Sequence, residues 1–241
     1  MVYYKYDMVP NILILLLSIF FVSFNYLRPS HQNTPTLKNG LRMSSTKYRA
    51  IRAKQTPGTI TVYQAYSPEI ANPAIKAQAF VPPFSRTRMT WIKPSFLWMA
   101  YRSGWATKAR QERVLAIEIT HEGFEWALRH SCLSHHVPGE DSDQKEWQKK
   151  LRSSPVRIQW DPERDLSLRP LNYRSIQIGL SGEAVERYID QWIVSITDVT
   201  ETMHEIDGHL KNGRFDAAQG CLPKEEIYEL PGDLQQALKM C

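Results

Sequence analysis

Four stretches with the alternating pattern of β-strands are separated by unequal lengths of chain, and this spacing limits the folds open to the sequence. They comprise residues 59–66, 113–120, 156–160 and 173–179, which are rich in β-branched and aromatic side chains. Helical patterns follow some of them, whereas a predicted turn at 161–165 follows the third. A doubly wound sheet needs a regular alternation of strands and helices, so the sequence predicts an α+β fold, a mixed sheet with flanking helices.

Helix-capping residues indicate where two of the flanking helices begin and end. Ser67 and Pro68 start a predicted helix that runs to about residue 79. A second helix is predicted at 95–102, and Gly104 is placed to end it.

The segment 86–105 combines aromatic and cationic side chains without a carboxylate. It holds three tryptophans, one tyrosine and four arginines or lysines. Aromatic rings supply large contact surfaces, and unpaired cations bind anions. We therefore expect this segment to line a pocket for a phosphate-bearing ligand that contains a ring. A buried amphipathic helix with solvated basic ends is the alternative.

Lys93 and Arg102 are the leading candidates for binding an anion. Lys93 precedes Pro94, which favours an extended backbone, and Arg102 ends a predicted helix, where it also complements the helix dipole. The segment also supplies two serines, Ser95 and Ser103, whose hydroxyls either cap helices or contact the ligand. Its three tryptophans either enter the core or stack on the ligand. They are Trp91, Trp98 and Trp105.

The net charge of +5 is only mildly basic, but the way the charges cluster along the chain indicates an anionic partner. Seven basic residues and no acidic one lie between Arg28 and Lys54, and the sign reverses between Glu183 and Asp207. A basic face attracts a nucleotide or a nucleic acid.

The three scattered cysteines indicate a reducing compartment. We expect no metal, because the histidines at 121, 130, 135 and 136 match no common zinc spacing.

The first 42 residues differ in composition from the rest of the chain. Residues 1–27 are a signal-anchor-like segment, predicted as an apolar helix, of which 9–27 would contact a membrane. The apolar run is shorter than the about 20 residues that typically span a bilayer. Basic residues follow it, which places the remaining domain in the cytoplasm. Alternatively, translation starts at Met43 and the preceding residues are a gene-model extension.

The rest of the chain divides into three parts by composition. Residues 28–47 are polar, contain proline and show no periodicity, so we interpret them as a linker. Residues 48–231 form a single predicted globular domain. Residues 232–241 are interpreted as a tail.

Several short sequence motifs resemble those of the family called domain of unknown function 4291. They include Val62-Tyr-Gln-Ala-Tyr66, Thr90-Trp-Ile-Lys-Pro-Ser-Phe-Leu-Trp-Met99 and Gln159-Trp-Asp-Pro-Glu-Arg164. The resemblance covers about 48–231 and excludes the apolar N-terminus. It implies a shared fold but no activity.

Residues 62–75 also resemble the opening strand and helix of compact ADP-ribosyltransferase-like domains. This resemblance implies that NAD binds in a cleft between two sheets, with aromatic rings such as Tyr63 and Tyr66 against it. Gln64 stands where that class has a histidine. A glutamine can bind a ribose hydroxyl but carries no charge.

Two residues are catalytic candidates, one from this resemblance and one from strand alternation. The resemblance implies that Glu183 is the glutamate that orients the ribose, although a helix-capping role after Ser181 explains it equally. Gln177 shares a strand face with Tyr173, and it is either a structural residue or one that faces the ligand. The residues at 176 and 178 would then face the core.

Two functions stay open at this point. The first is an NAD-dependent ADP-ribosyltransferase-like enzyme, in which cations hold the pyrophosphate and a carboxylate supports charge at the anomeric carbon. The second is a non-catalytic nucleotide- or nucleic-acid-binding module. Steep salt dependence of binding without NAD turnover would favour the second.

Overall fold

The computed structural model describes residues 47–136 and 143–240. The predicted apolar helix, its membrane contact and nearly all of the linker lie outside these residues and stay predictions. Ser44–Cys241 forms a compact unit by itself. Among the helices of the described part, none has the length and apolar character that crossing a bilayer requires.

Within the described residues, the strands form a three-stranded sheet, a four-stranded sheet and a two-stranded ribbon. In chain order they are β1 Arg52–Ala53, β2 Thr59–Tyr66, β3 Thr90–Ile92, β4 Arg113–Thr120, β5 Ser131–Leu133, β6 Val156–Arg164, β7 Pro170–Leu180, β8 Ile193–Asp198 and β9 Glu226–Ile227. The helices are α1 Pro68–Ala77, α2 Phe96–Ser103, α3 His121–Arg129, α4 Gln144–Ser153, α5 Glu183–Arg187, α6 Thr200–Lys211, α7 Phe215–Gly220 and α8 Gly232–Ala237. A π-helical turn, Tyr188–Trp192, follows α5.

The four-stranded sheet has the order β3-β7-β6-β5, and the three-stranded sheet has the order β2-β4-β8. All pairs are antiparallel except β5 with β6, so the larger sheet is mixed. The prediction of a fold that combines α-helices and β-strands is therefore confirmed, and the strands of the described residues form several sheets where one mixed sheet was predicted.

One core cluster takes apolar side chains from both sheets. Val62 of β2 and Ile117 of β4 belong to it, as do Ile158 of β6 and Ile178 of β7. Ile176 and Ile178 face this core, as predicted from strand alternation. A second cluster covers the other face of the three-stranded sheet, where α2 and α6 supply its apolar side chains.

The local signals in the sequence placed α2 correctly. Ser95 caps it by accepting a hydrogen bond from the Trp98 amide at 3.1 Å. Gly104 ends it in the left-handed conformation, with φ of 59°. Helix ends depend on such short-range contacts, which is why they can be read from sequence.

Two predictions about element boundaries are wrong. The predicted turn at 161–165 is instead the end of β6, because pairing with β7 continues through Asp161 opposite Ser175. Residues 232–240 are no tail, since Leu234, Leu238 and Met240 are buried in the main core. The domain therefore extends to Met240.

Candidate functional site

One face of the four-stranded sheet carries polar and aromatic side chains, whereas the opposite face is apolar. Strand register places these residues side by side, since Trp91 pairs with Gly179, Gln159 with Gln177 and Asp161 with Ser175. We call this surface the polar face. It consists of Trp91, Lys93, Arg157, Gln159, Asp161, Glu163, Tyr173, Ser175, Gln177 and Gly179.

Lys93 is the most unusual residue of the polar face. Its side chain is only 3% exposed, and its ammonium nitrogen has no hydrogen-bond partner. That nitrogen lies 3.6 Å from the centroid of the Trp98 ring, which α2 holds over it. Desolvation lowers the Lys93 pKa well below its usual value, and nearby Arg102 lowers it further, whereas Asp161 acts in the opposite direction.

Two carboxylates of β6 lie on the same face two residues apart. Burial raises the pKa of Asp161, although Lys93 and Arg174 oppose the shift. One Asp161 oxygen, Oδ2, is enclosed without a hydrogen-bond partner. Burial also raises the pKa of Glu163. The polar face therefore holds an ammonium and a carboxyl group that both lack full hydrogen bonding.

Glu163 links the polar face to the beginning of α2. Its Oε1 accepts hydrogen bonds from the Ser95 hydroxyl and the Arg164 amide, both at 2.8 Å. Ser95 thus caps α2 and binds β6 at once. This connection fixes Trp98 relative to the sheet and so fixes the ring above Lys93.

A third carboxyl group, Glu225, approaches the same helix end. Its Oε1 accepts from the Phe96 amide at 2.7 Å. Burial raises the Glu225 pKa to about 8, and the nearby Glu163 contributes in the same direction. The sequence around Glu225 does not predict this contact, because Glu225 and Phe96 are far apart in the chain.

Stacked cations and rings surround the polar face. The Arg164 guanidinium lies 3.5 Å from the centroid of the Tyr101 ring, and that of Arg52 lies 4.5 Å from the Tyr173 ring. Arg102 is exposed and donates to Gln111 at 3.1 Å. Such flat pairs suit a ligand that carries both charge and rings.

The structure brings together most of the residues that the sequence singled out. Gln177 lies on the polar face and donates a hydrogen bond to Gln159. The others that lie on or beside this face are Trp91, Lys93, Ser95, Trp98, Arg102 and Tyr173. Asp161, Glu163 and Arg164 are not among the candidates from sequence, because the pattern of Asp161-Pro-Glu predicts a turn.

The Gln64 side chain is enclosed between the two sheets and bonded entirely to protein. Its amide donates to Thr90 Oγ1 at 2.6 Å and to Tyr66 Oη at 2.9 Å. Its oxygen accepts from Tyr188 Oη at 2.8 Å. Gln64 is therefore a structural hydrogen-bonding centre in this structure, and Tyr66 belongs to the same network.

Four other predicted site residues also lie away from the polar face. Tyr63 packs edge-on against Phe96 in the second core cluster, which also contains Trp105. Ser103 is buried and donates to the Met99 carbonyl at 2.9 Å. Glu183 is at the surface, where it forms an ion pair of 2.7 Å with Arg187.

The comparisons with known proteins identify the family. No curated protein matches the chain at a significant level. The family described as Domain of unknown function (DUF4291) matches residues 50–228. The matched region includes all residues of the polar face together with α2. The chain therefore belongs to the DUF4291 family.

Proposed function

We propose that the polar face binds a small anionic ligand that contains a ring, a nucleotide, and that Lys93 contacts its phosphate. The observation that carries this proposal is the buried Lys93 ammonium without a hydrogen-bond partner. An unsatisfied buried donor costs about 1–3 kcal/mol, and more when it is charged. A phosphate group would satisfy this donor and restore its charge.

The surroundings of Lys93 favour a nucleotide over a simple anion. Trp91 and Tyr173 are partly exposed on the polar face, and the Arg164–Tyr101 pair lies near Asp161. A base could stack on these rings while Lys93 and the arginines bind phosphate oxygens. Gln159 and Gln177 add amide groups that distinguish one ring from another.

A nucleic-acid module is the second candidate, and the position of Lys93 argues against it. Binding along a phosphate backbone depends on a row of exposed cations. Lys93 is 3% exposed, so it suits one terminal phosphate or pyrophosphate better than a row of backbone phosphates. We therefore place mononucleotides and dinucleotides ahead of nucleic acid.

NAD fits this proposal in part. The order of β2 followed directly by α1 supports the proposed ADP-ribosyltransferase-like fold, and Lys93 with the rings suits a dinucleotide. Gln64 and Glu183, which that resemblance implies for the reaction, do not lie on the polar face. We therefore propose nucleotide binding, with NAD as one ligand to test, and derive no reaction.

Calorimetric titration of the full chain with ATP, NAD, ADP-ribose and a short oligonucleotide tests the proposal. We expect a nucleotide to bind the wild type and to lose at least tenfold in affinity with Lys93→Met, since a charge-assisted contact is worth about 1.5–3 kcal/mol. Lys76→Met, which removes an exposed lysine from α1, is the matched control and should bind normally. If only the oligonucleotide binds, with steep salt dependence, the second candidate replaces the first.

Proton uptake provides an independent signature of the same contact. The Lys93 pKa is lowered in the free protein, and a bound phosphate would raise it again. Between those two values, binding takes up a proton, so affinity falls as the pH rises. Titrations in buffers of different ionisation enthalpy measure this uptake. Binding without proton uptake at any pH would exclude Lys93 as the phosphate contact.

A further inference from the structure

Three side chains with metal-ligand chemistry converge where α6 meets the end of α7. Glu205 and His209 lie four residues apart on α6, and Cys221 follows α7. One ligand atom from each residue lies within 4.8 Å of the other two. The cluster is separate from the polar face and takes no part in the proposed nucleotide binding.

The fold fixes this convergence through packing beneath the two helices. Met203 and Ile206 of α6 and Ala218 of α7 are buried in the second core cluster. The Cys221 amide donates to the Ala217 carbonyl at 3.2 Å, which holds the thiol at the end of α7. The backbone at Cys221 is therefore held relative to α6 before any ligand binds.

The orientation of the His209 ring leaves one nitrogen for this cluster. His209 Nδ1 is enclosed and has no hydrogen-bond partner. His209 Nε2 lies 3.7 Å from Glu205 Oε1. On the other side, the Cys221 thiol is hydrogen-bonded to the Glu205 carboxylate.

We propose that Glu205, His209 and Cys221 bind a zinc ion through a carboxylate oxygen, Nε2 and Sγ. With zinc–ligand bonds of about 2.0–2.3 Å in a tetrahedral site, neighbouring ligand atoms are about 3.3–3.8 Å apart. A nitrogen and an oxygen on such a zinc lie about 3.3–3.6 Å apart. The separation of 3.7 Å between His209 Nε2 and Glu205 Oε1 is slightly longer than this. The largest separation, below 4.8 Å, closes by side-chain rotation of about 1 Å.

The set of donors selects zinc over harder cations. Thiolate and imidazole are poor ligands for calcium or magnesium and good ligands for zinc. Three protein ligands leave a fourth position for water, since Glu205 is exposed and the other two are partly exposed. An ordinary helix pair, with a thiol bonded to a carboxylate, is the alternative that the experiment must exclude.

The proton balance of binding gives the pH dependence. Zinc replaces the thiol proton, which passes to solvent, and no electrons are transferred. Zinc affinity should therefore rise with pH.

Titration of the reduced, metal-free full chain with Co²⁺ and then Zn²⁺ tests the site directly. Cobalt bound to a thiolate produces a charge-transfer absorption, which zinc then abolishes by displacement. We expect this absorption in the wild type and in Cys132→Ser and Cys241→Ser, but not in Cys221→Ser. His209→Gln should weaken zinc binding by at least tenfold, since even the loss of an outer-shell partner costs about 10–100-fold.

The outcomes separate the proposal from its alternative. Absorption that is absent from the wild type, or that survives in Cys221→Ser, overturns the site. Absorption lost in Cys132→Ser or Cys241→Ser instead also overturns it, because a different thiol would then be the ligand. Circular dichroism of each variant, unchanged from the wild type, shows that the loss is not caused by unfolding.

Discussion

Replacing Lys93 with methionine should make the protein more stable while weakening its nucleotide binding at least about tenfold. Methionine has about the length of the lysine stem and can keep the contact with the Trp98 ring. The substitution removes an ammonium that is buried without a hydrogen-bond partner. A lysine held there for structure would give the opposite result.

The magnitude follows from two opposing terms. An unsatisfied buried donor costs about 1–3 kcal/mol, and more when it is charged. Loss of the attraction to half-buried Asp161 offsets about 1 kcal/mol or less. With the middle of these ranges, about 2 and about 0.5 kcal/mol, the net gain in unfolding free energy is about 1.5 kcal/mol, which corresponds to about 3–6 °C in Tm for a domain of this size.

Urea denaturation and thermal melting of wild type, Lys93→Met and Lys76→Met measure this gain. The exposed control should lie within about 0.5 kcal/mol of the wild type. Lys93→Met should exceed both in stability and should bind nucleotide at least about tenfold more weakly in calorimetry. A variant that melts earlier than the wild type and binds normally would refute the reasoning.

The stability difference between the wild type and Lys93→Met should change with pH. The Lys93 pKa is lower in the folded protein than in the unfolded chain, so the unfolded chain binds more protons between those two values. Wild-type stability therefore rises with pH in that window through this group. The advantage of Lys93→Met is largest below the folded-state pKa of Lys93 and shrinks as the pH rises from there towards the usual lysine pKa of about 10.4.

Three further predictions concern the domain and its stability. Expression of residues 43–241 should give a soluble, cooperatively melting protein, since Ser44–Cys241 forms one unit, and an insoluble product would contradict this boundary. Because burial raises the Glu225 pKa to about 8, this group should lower wild-type stability as the pH rises from about 4.5 to 8. Glu225→Gln should remove that slope in urea midpoints, and a persistent slope would point to another group. A Cβ at Gly123 would overlap the Trp192 ring, so Gly123→Ala should cost about 1–3 kcal/mol in denaturation, whereas Gly208→Ala, with open space around it, should be neutral or stabilising. Equal effects of the two alanines would contradict the packing at Trp192.

Sequence patterns predicted the elements whose signals are local. β2 and β4 are eight residues long and rich in β-branched side chains, so their alternation could be recognised. β3 and β5 are three residues long, too short to show any period. The end of β6 looked like a turn, because Pro162 is common in turns and only pairing with distant β7 makes it a strand.

Lys93 of the candidate site was predictable from sequence, but its carboxylates and Arg164 were not. Lys93 could be selected because an isolated lysine among aromatic residues needs an anion. Gln64 is equally suited to a ligand by its sequence, yet Tyr188, 124 residues later in the chain, donates a hydrogen bond to its oxygen. Polar residues in strands acquire their partners from the tertiary fold, so a sequence pattern cannot tell a structural glutamine from a binding one.

The ribbon of β1 and β9 has a consequence for the synthesis of this protein. Arg52 pairs with Ile227, and the Arg49 guanidinium donates to the Lys239 carbonyl 190 residues later. At about 5–20 residues per second, a ribosome needs about 10–40 s to make the chain between them. During that time Ile51 and Ala53, fully buried in the finished protein, have no partner strand to cover them. The ribbon therefore closes only when the end of the chain has been made, so the last step of folding joins the two ends of the domain.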